Sequence, residues 1–222
     1  FISNFILGLI IYVISLRKYH VQSTSDNVNE SLLYSKHLSA IGIFSQLSSQ
    51  VDPLLLWHTA SPVQLAIYSF AQAPIRELRN LTENFLSLIF PKFSTKTIDE
   101  VKKTLPLRIF QMTVVSCIMA GAYIISAPFI FRTFLPQYID SVFWSQLIAI
   151  TLIFQSKGLI ETLIIAHGKI KLRYIAIITN HSIRIILFLI LIPLYGIQGA
   201  IIGTLISEFV SAIIFAVIYK KL

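Results

Sequence analysis

The stretch that most constrains this chain runs from Pro62 to Pro91 (PVQLAIYSFAQAPIRELRNLTENFLSLIFP). It is long and apolar enough to cross a bilayer, which takes roughly 20 helical residues at about 1.5 Å each. Yet Arg76, Glu77, Arg79 and Glu83 stand near its middle. At about 100° per residue, Arg76, Arg79, Asn80 and Glu83 fall on one side of a helix with Ser69, Gln72 and Ser87. The other side carries Ile67, Phe70, Pro74, Leu78, Leu81, Phe85 and Leu88. The expected result is a membrane helix with one side toward lipid or core and one wet, cationic side. A charge at the bilayer centre is costly, so such residues face a cavity and mark a pathway.

Composition agrees with a bilayer. Only 13% of the 222 residues are charged and 55% are hydrophobic, whereas soluble domains carry about 25% charged residues. An all-α integral membrane protein is expected. The single cysteine, Cys117, lies inside an apolar run, which excludes an internal disulfide and a cysteine metal cluster. Neither a metal nor a cofactor is expected. Phe1 begins within apolar sequence with no methionine or basic n-region, which reads as a truncated start rather than a signal peptide.

About seven hydrophobic segments are arranged along the chain. Phe1 to Leu16 is short for a span, and the polar stretch Arg17 to Ser35 reads as a linker. Lys36 to His58 is moderately apolar, with Ser45, Ser48, Ser49 and Asp52 on one side. Pro62 to Pro91 leads into a basic loop expected from Lys92 to Arg108. The remaining segments run from Ile109 to Phe131, Ile139 to Ala166, Tyr174 to Leu194 and Ile197 to Tyr219.

Sorting the connecting loops onto two sides gives one side 13 lysines and arginines, among them Lys92, Arg108, Lys169 and Lys221, and the other only Arg132. By the positive-inside rule the linker, the basic loops and the C-terminus are cytoplasmic. This asymmetry absorbs most of the net charge of +8, so topology and anionic lipid explain it better than nucleic acid, which is not an expected partner.

Four cations remain at mid-membrane depth: Arg76, Arg79, Lys157 and Arg184. Five acids are embedded with them, Asp52, Glu77, Glu83, Glu161 and Glu208. Arg79 with Glu83 and Lys157 with Glu161 are one turn apart and could pair as structural bridges. Against that reading, four different segments place a polar group near the midplane, and Asn180 and His181 add to the patch around Arg184. Glu77 points away from the stripe and reads as a structural partner. Gly199, Gly203, Ser207 and Ser211 form a small-residue stripe that reads as close helix packing rather than chemistry.

There is no Gly-rich phosphate loop, HExxH or nucleophile elbow, and the loops are too short for a catalytic domain, so an enzyme is not expected. No filter-like repeat suggests a channel.

The segment LSSQVDPLLL, followed by LAIYSFAQAPIRELRNLTENFLSLIFPKFS, resembles the second half of bacterial Wzx-type polysaccharide and O-antigen flippases of the multidrug/oligosaccharidyl-lipid/polysaccharide exporter superfamily. The resemblance rests on Ser49 with Asp52, on Tyr68 with Ser69 and Ala71, and on Pro91 with Lys92 and Ser94. FLPQYIDSVFWSQLIAI is similar to the family's external turn and following helix, and LYGIQGAIIGTLISEFV to the start of its final helix. The likeness covers residues 36–222 and departs from the family pattern at Asp52-Pro53, which puts helix continuity there in question.

What the resemblance implies is a two-lobe exporter fold, each lobe of six helices. Residues 1–17 would end the last helix of the first lobe, 18–35 would be the cytoplasmic inter-lobe linker, and 36–222 the C-terminal lobe. The cargo would be an undecaprenyl-pyrophosphate-linked oligosaccharide repeat unit, flipped across the bacterial inner membrane. Membrane lipid, a polysaccharide polymerase and a chain-length regulator would be its partners. Midplane cations suit a pyrophosphate, whose oxygens arginine binds bidentately. Arg76, Arg79, Lys157 and Arg184 are therefore the expected headgroup site, and Asp52, Glu83, Glu161 and Glu208 candidates for ion coupling. The alternatives are a drug or metabolite antiporter of the same superfamily, which would want a cavity richer in acids and aromatics, and a non-transporting component of a glycan assembly complex.

Overall fold

A computed structural model of the protein describes Lys36 and residues 39–221. The chain divides into two compact units, Phe1–Gly42 and Ile43–Leu222. The expected first-lobe helix end (1–17) and linker (18–35) lie outside the described residues.

Every regular element described in the second unit is helical. After helical residues 43–48 come α1 (Val51–Thr59), α2 (Pro62–Ser94), α3 (Ile98–Phe134), α4 (Ser141–Ala149), α5 (Lys157–Ala166), α6 (Ile170–Tyr195) and α7 (Ile197–Lys221). Short 3-10 turns occupy Pro136–Tyr138 and Ile150–Ser156, the second joining α4 to α5. Four helical runs among the described residues are long and apolar enough to cross a membrane: Ile98–Phe134, Ser141–Ala166, Lys171–Tyr195 and Ile197–Lys221. Their outward surfaces expose Ile125, Phe129, Leu189 and Phe209, as hydrocarbon-facing helices do. The described residues are all-helical and carry four candidate membrane spans, as a multi-pass membrane protein does. Helix α2 has the length to span, but its central charges exclude it from that set.

Two sequence expectations are corrected, and a third, which stands as the single span Ser141–Ala166, gains internal detail. The segment Lys36 to His58 is interrupted at Ser49 and Gln50, just before the Asp52-Pro53 dipeptide. Pro53 then sits in the first turn of α1, where a missing N–H costs little, and Asp52 beside it meets the positive end of the helix dipole. The basic loop from Lys92 to Arg108 is mostly helix. Helix α2 continues to Ser94, only Thr95–Thr97 turn, and α3 starts on a capping box in which Thr97 and Glu100 satisfy each other's backbone N–H groups. At about 1.5 Å per residue the 33 and 37 residues of α2 and α3 exceed a hydrocarbon core of about 30 Å, so their basic ends project beyond it. The segment Ile139 to Ala166 is two α-helices joined by seven residues of 3-10 helix.

That composite run, α4 through α5, is the centre of the unit. It packs between α2 and α3 and against α7, whereas α2 and α3 scarcely meet. Its apolar window is 56% buried, against 28%, 17% and 39% for the other three spans. Tyr123 and Ser145 share a buried hydrogen bond that ties α3 to α4.

Helices α6 and α7 form a hairpin through the small-residue stripe. Gly199, Gly203, Ser207 and Ser211 are all buried. A Cβ at Gly199 would lie 2.0 Å from the Leu191 carbonyl oxygen, and one at Gly203 would lie 2.8 Å from the Phe188 ring. The hairpin turns at Gly196, whose φ of 55° is open to glycine at little cost. Gly199→Ala is expected to cost about 1–3 kcal/mol by forcing the helices apart. Thermal unfolding of the purified protein in detergent would read this as a lowered midpoint; an unchanged midpoint would mean that the hairpin can part without loss.

A candidate polar site in the membrane interior

The core has two apolar clusters with a polar layer between them. One cluster holds Tyr68 and Ile75 of α2, Leu152 of the central run, Phe188 of α6 and Ile201 of α7. The other holds Leu86, Leu159, Ala176 and Phe215 of the same four elements. Between them, on each element in turn, lie Arg79, then Lys157, then His181 and Arg184, then Glu208 and Ser211. Each helix thus changes from apolar to polar and back at a similar depth. A repeated local interruption of this kind produces a layer, not scattered defects.

Glu208 is the hub of the layer. Arg79 Nη1 lies 3.3 Å from its Oε1, and Lys157 Nζ lies 2.5 Å from its Oε2. Both carboxylate oxygens are therefore committed to different cations on different helices. Lys157 also donates to Ser211 Oγ at 2.8 Å, and Arg79 Nη2 donates to Thr151 Oγ1 at 3.2 Å. Lys157 stands at the junction where the 3-10 stretch ends and α5 begins. A 3-10 run inside a spanning helix often marks a hinge.

Asp52 is the second acid of the layer and is 1% exposed. Its Oδ2 accepts a 2.6 Å hydrogen bond from the Tyr68 hydroxyl and lies 3.4 Å from Arg184 Nη2. The Arg184 guanidinium also stands 5.0 Å over the Phe188 ring, a cation–π contact. One turn away, His181 Nδ1 lies 3.0 Å from Ser48 Oγ. Asp52 Oδ1, Arg79 Nε, Asn180 Oδ1 and Arg184 Nε are buried without a hydrogen-bond partner among the described residues. An unmet buried polar atom costs about 1–3 kcal/mol, and these four leave donor and acceptor capacity unused within the layer.

The candidate residues separate into two groups. Arg79, Lys157, Arg184, Asp52 and Glu208 are brought together in the interior. Arg76 and Glu83 are exposed on α2 and form no ion pair with any described residue. Glu161 lies 3.8 Å from Arg173 Nε at the start of α6, and Glu77 accepts from Asn80 on the surface of α2. The one-turn bridges Arg79–Glu83 and Lys157–Glu161 do not form. The partners come from other helices, because α2 and α5 pack their cations inward against α7.

Helix geometry explains how Arg79 and Arg76 part company. The buried face of α2 carries Tyr68, Ala71, Ile75, Thr82 and Leu86. Three residues advance a helix by about 300°, so Arg79 lies about 60° from Arg76 and at the border of that face. It turns inward to Glu208 while Arg76, Asn80, Glu83 and Ser87 stay exposed in a polar row. Leu81, Phe85 and Leu88 form a separate exposed apolar row. The apolar side expected from the sequence is thus an outer surface, and the core face is a third side.

Sequence reasoning missed Thr151 and treated Ser211 as packing alone. Ser211 does belong to the packing stripe, but it also accepts from Lys157. Its place one turn after Glu208 was the available signal. Thr151 carried none, because its partner is 72 residues away. Comparison with protein-family models, curated proteins and solved structures gave no match to this chain.

Proposed function

We propose that this chain is the second lobe of a lipid-linked oligosaccharide flippase of the bacterial inner membrane, with its C-terminus in the cytoplasm. It moves undecaprenyl-pyrophosphate-linked repeat units outward for polysaccharide or O-antigen synthesis. The observation that carries this reading is the charge balance of the buried layer. Among the described residues, Arg79, Lys157 and Arg184 form ion pairs with Asp52 and Glu208 alone, three cations to two acids, with Arg76 exposed on the same helix as Arg79. A layer with surplus positive charge in a low-dielectric space suits an anion, and arginine binds pyrophosphate oxygens in pairs. The same surplus disfavours an antiporter of organic cations. The order and spacing of the sequence motifs support the family.

The mechanism rests on competition for the same cations. A pyrophosphate reaching the polar row of α2 meets Arg76 first. Arg79 lies at the border of that row and exchanges Glu208 for a phosphoryl oxygen by turning its side chain. Lys157 keeps hold of Glu208, so the carboxylate is not left without a counter-charge. The polar row Arg76, Asn80, Glu83 and Ser87 cannot lie against hydrocarbon at low cost. In this reading it faces a wet cavity whose other wall is the first lobe, and the headgroup crosses by alternating access while its prenyl tail stays in lipid. The 3-10 segment before Lys157 is the place where the central run flexes.

The test is transport by the full-length protein reconstituted in liposomes with a fluorescent undecaprenyl-pyrophosphate-linked sugar. Arg76→Ala with Arg79→Ala is expected to slow flipping at least tenfold while insertion is unchanged. Flipping at the normal rate would make the site assignment wrong and leave Arg79 as a structural bridge to Glu208.

A further inference from the structure

A groove of about 720 Å³ runs between α2 and α3, outside the charged layer. Its walls are Leu81, Phe85 and Ile89 on one side and Met112, Val115 and Met119 on the other, with Leu159 of α5 as part of the lining. Lys92 and Arg108 line it at the end nearest the Thr95–Thr97 turn. Neither cation forms an ion pair with any described residue, and Arg108 is positioned over the Phe93 ring at 5.4 Å. The groove exists because α2 and α3 diverge around the central run and scarcely meet.

We propose that this groove binds an anionic phospholipid of the leaflet at the basic end of the helices, with one acyl chain along the groove and its phosphate between Lys92 and Arg108. Two observations select this occupant. The first is charge: two cations without an acidic partner among the described residues close one end of a channel whose lining is otherwise mostly apolar, with Thr82, Gln111 and Ser116 its neutral polar members. That matches a molecule with one anionic end. The second is depth. Leu81 to Lys92 and Arg108 to Met119 each span 11 residues, or about 16 Å of helix. Half of a hydrocarbon core of about 30 Å is about 15 Å, so the groove is as deep as one leaflet and its cations stand at headgroup level. Lys96, Lys102 and Lys103 lie around the same turn and add to the field there. The positive-inside asymmetry makes this the cytoplasmic leaflet, where anionic lipid is concentrated. The lipid site requires only that the chain spans a membrane and does not depend on the flippase reading. In function the lipid would brace α2, the helix that carries Arg76 and Arg79.

Native mass spectrometry of the purified protein, titrated with dioleoyl phosphatidylglycerol or dioleoyl phosphatidylcholine, tests this directly. Phosphatidylglycerol is expected to bind about tenfold more tightly. Lys92→Gln with Arg108→Gln should abolish that preference, while Lys92→Arg with Arg108→Lys should keep it. Val115→Trp changes no charge and alters an exposed groove wall, and it should weaken phosphatidylglycerol binding severalfold. Glycerol phosphate, which has no chain, should fail to displace the lipid. Equal binding of the two lipids, a preference that survives the double glutamine variant, unaltered binding to Val115→Trp, or displacement by glycerol phosphate would each overturn the proposal.

Discussion

Replacing Glu208 by alanine is expected to lower the stability of the protein by about 3–5 kcal/mol, the usual cost of breaking a buried ion pair from one side. Two cations depend on this one carboxylate. Arg79 and Lys157 occupy separate oxygens of Glu208, and neither has another acid within ion-pair distance among the described residues. Their remaining contacts, Thr151 for Arg79 and Ser211 for Lys157, are neutral hydroxyls. The loss should show as a large drop in the thermal midpoint of the purified protein in detergent. Adding Lys157→Met to Glu208→Gln removes one orphaned charge and should recover part of the loss, since matched apolar replacements of buried ions are often tolerated. A Glu208→Ala protein as stable as the wild type would mean that water already solvates Arg79 and Lys157, and the layer would then be an open cavity at that point.

Asp52→Ala should have an effect of similar size for a related reason. Asp52 Oδ2 serves the Tyr68 hydroxyl and the Arg184 guanidinium together, so alanine leaves a buried hydroxyl and a cation without their acceptor. About 3–5 kcal/mol is expected. Asp52→Asn retains an oxygen for Tyr68 and should cost less. A double-mutant cycle between Asp52→Ala and Arg184→Ala should return a coupling of about 0.5–3 kcal/mol. Additive losses would show that Asp52 is held by Tyr68 and the α1 dipole and that its approach to Arg184 contributes nothing. The position of Asp52 in the first turn of α1 depends on the break at Ser49 and Gln50, because a continuous helix would present no N-terminus there.

The two acids organise different parts of the layer. Glu208 joins α2 and the α4–α5 run to α7, while Asp52 joins α1 and α2 to α6. Helix α2 takes part in both, through Arg79 and Tyr68. A movement of α2 would therefore disturb both acids at once.

The four apolar spans were readable from the chain, the first from Ile109 rather than from its helical start at Ile98, because a run of that length and hydropathy has few alternatives to a membrane helix. The embedded residues Arg79, Lys157, Arg184, Asp52 and Glu208 were readable too, since charges are rare in such segments and few enough to enumerate. The small-residue stripe on α7 announced its packing through a spacing of four. What the chain could not reveal was pairing. Neighbours one turn apart suggested Arg79–Glu83 and Lys157–Glu161, a local rule that holds for an isolated helix. In the fold, Arg79 and Lys157 both go to Glu208, at sequence separations of 129 and 51 residues. Inter-helix contacts are set by which faces pack, and no periodicity within one helix encodes its neighbour's face.

The same limit applies to the helix Pro62–Ser94. Its sequence determined that it would be long, amphipathic and charged near the middle. Only the tertiary structure decided that its polar side divides in two. Arg79, at the border of the buried face, is drawn in by a carboxylate on α7, and Arg76, about 60° around, is left outside. Packing of the central run against α2 fixes that border, because burial on one side determines which of two adjacent cations gains a counter-charge and which remains available.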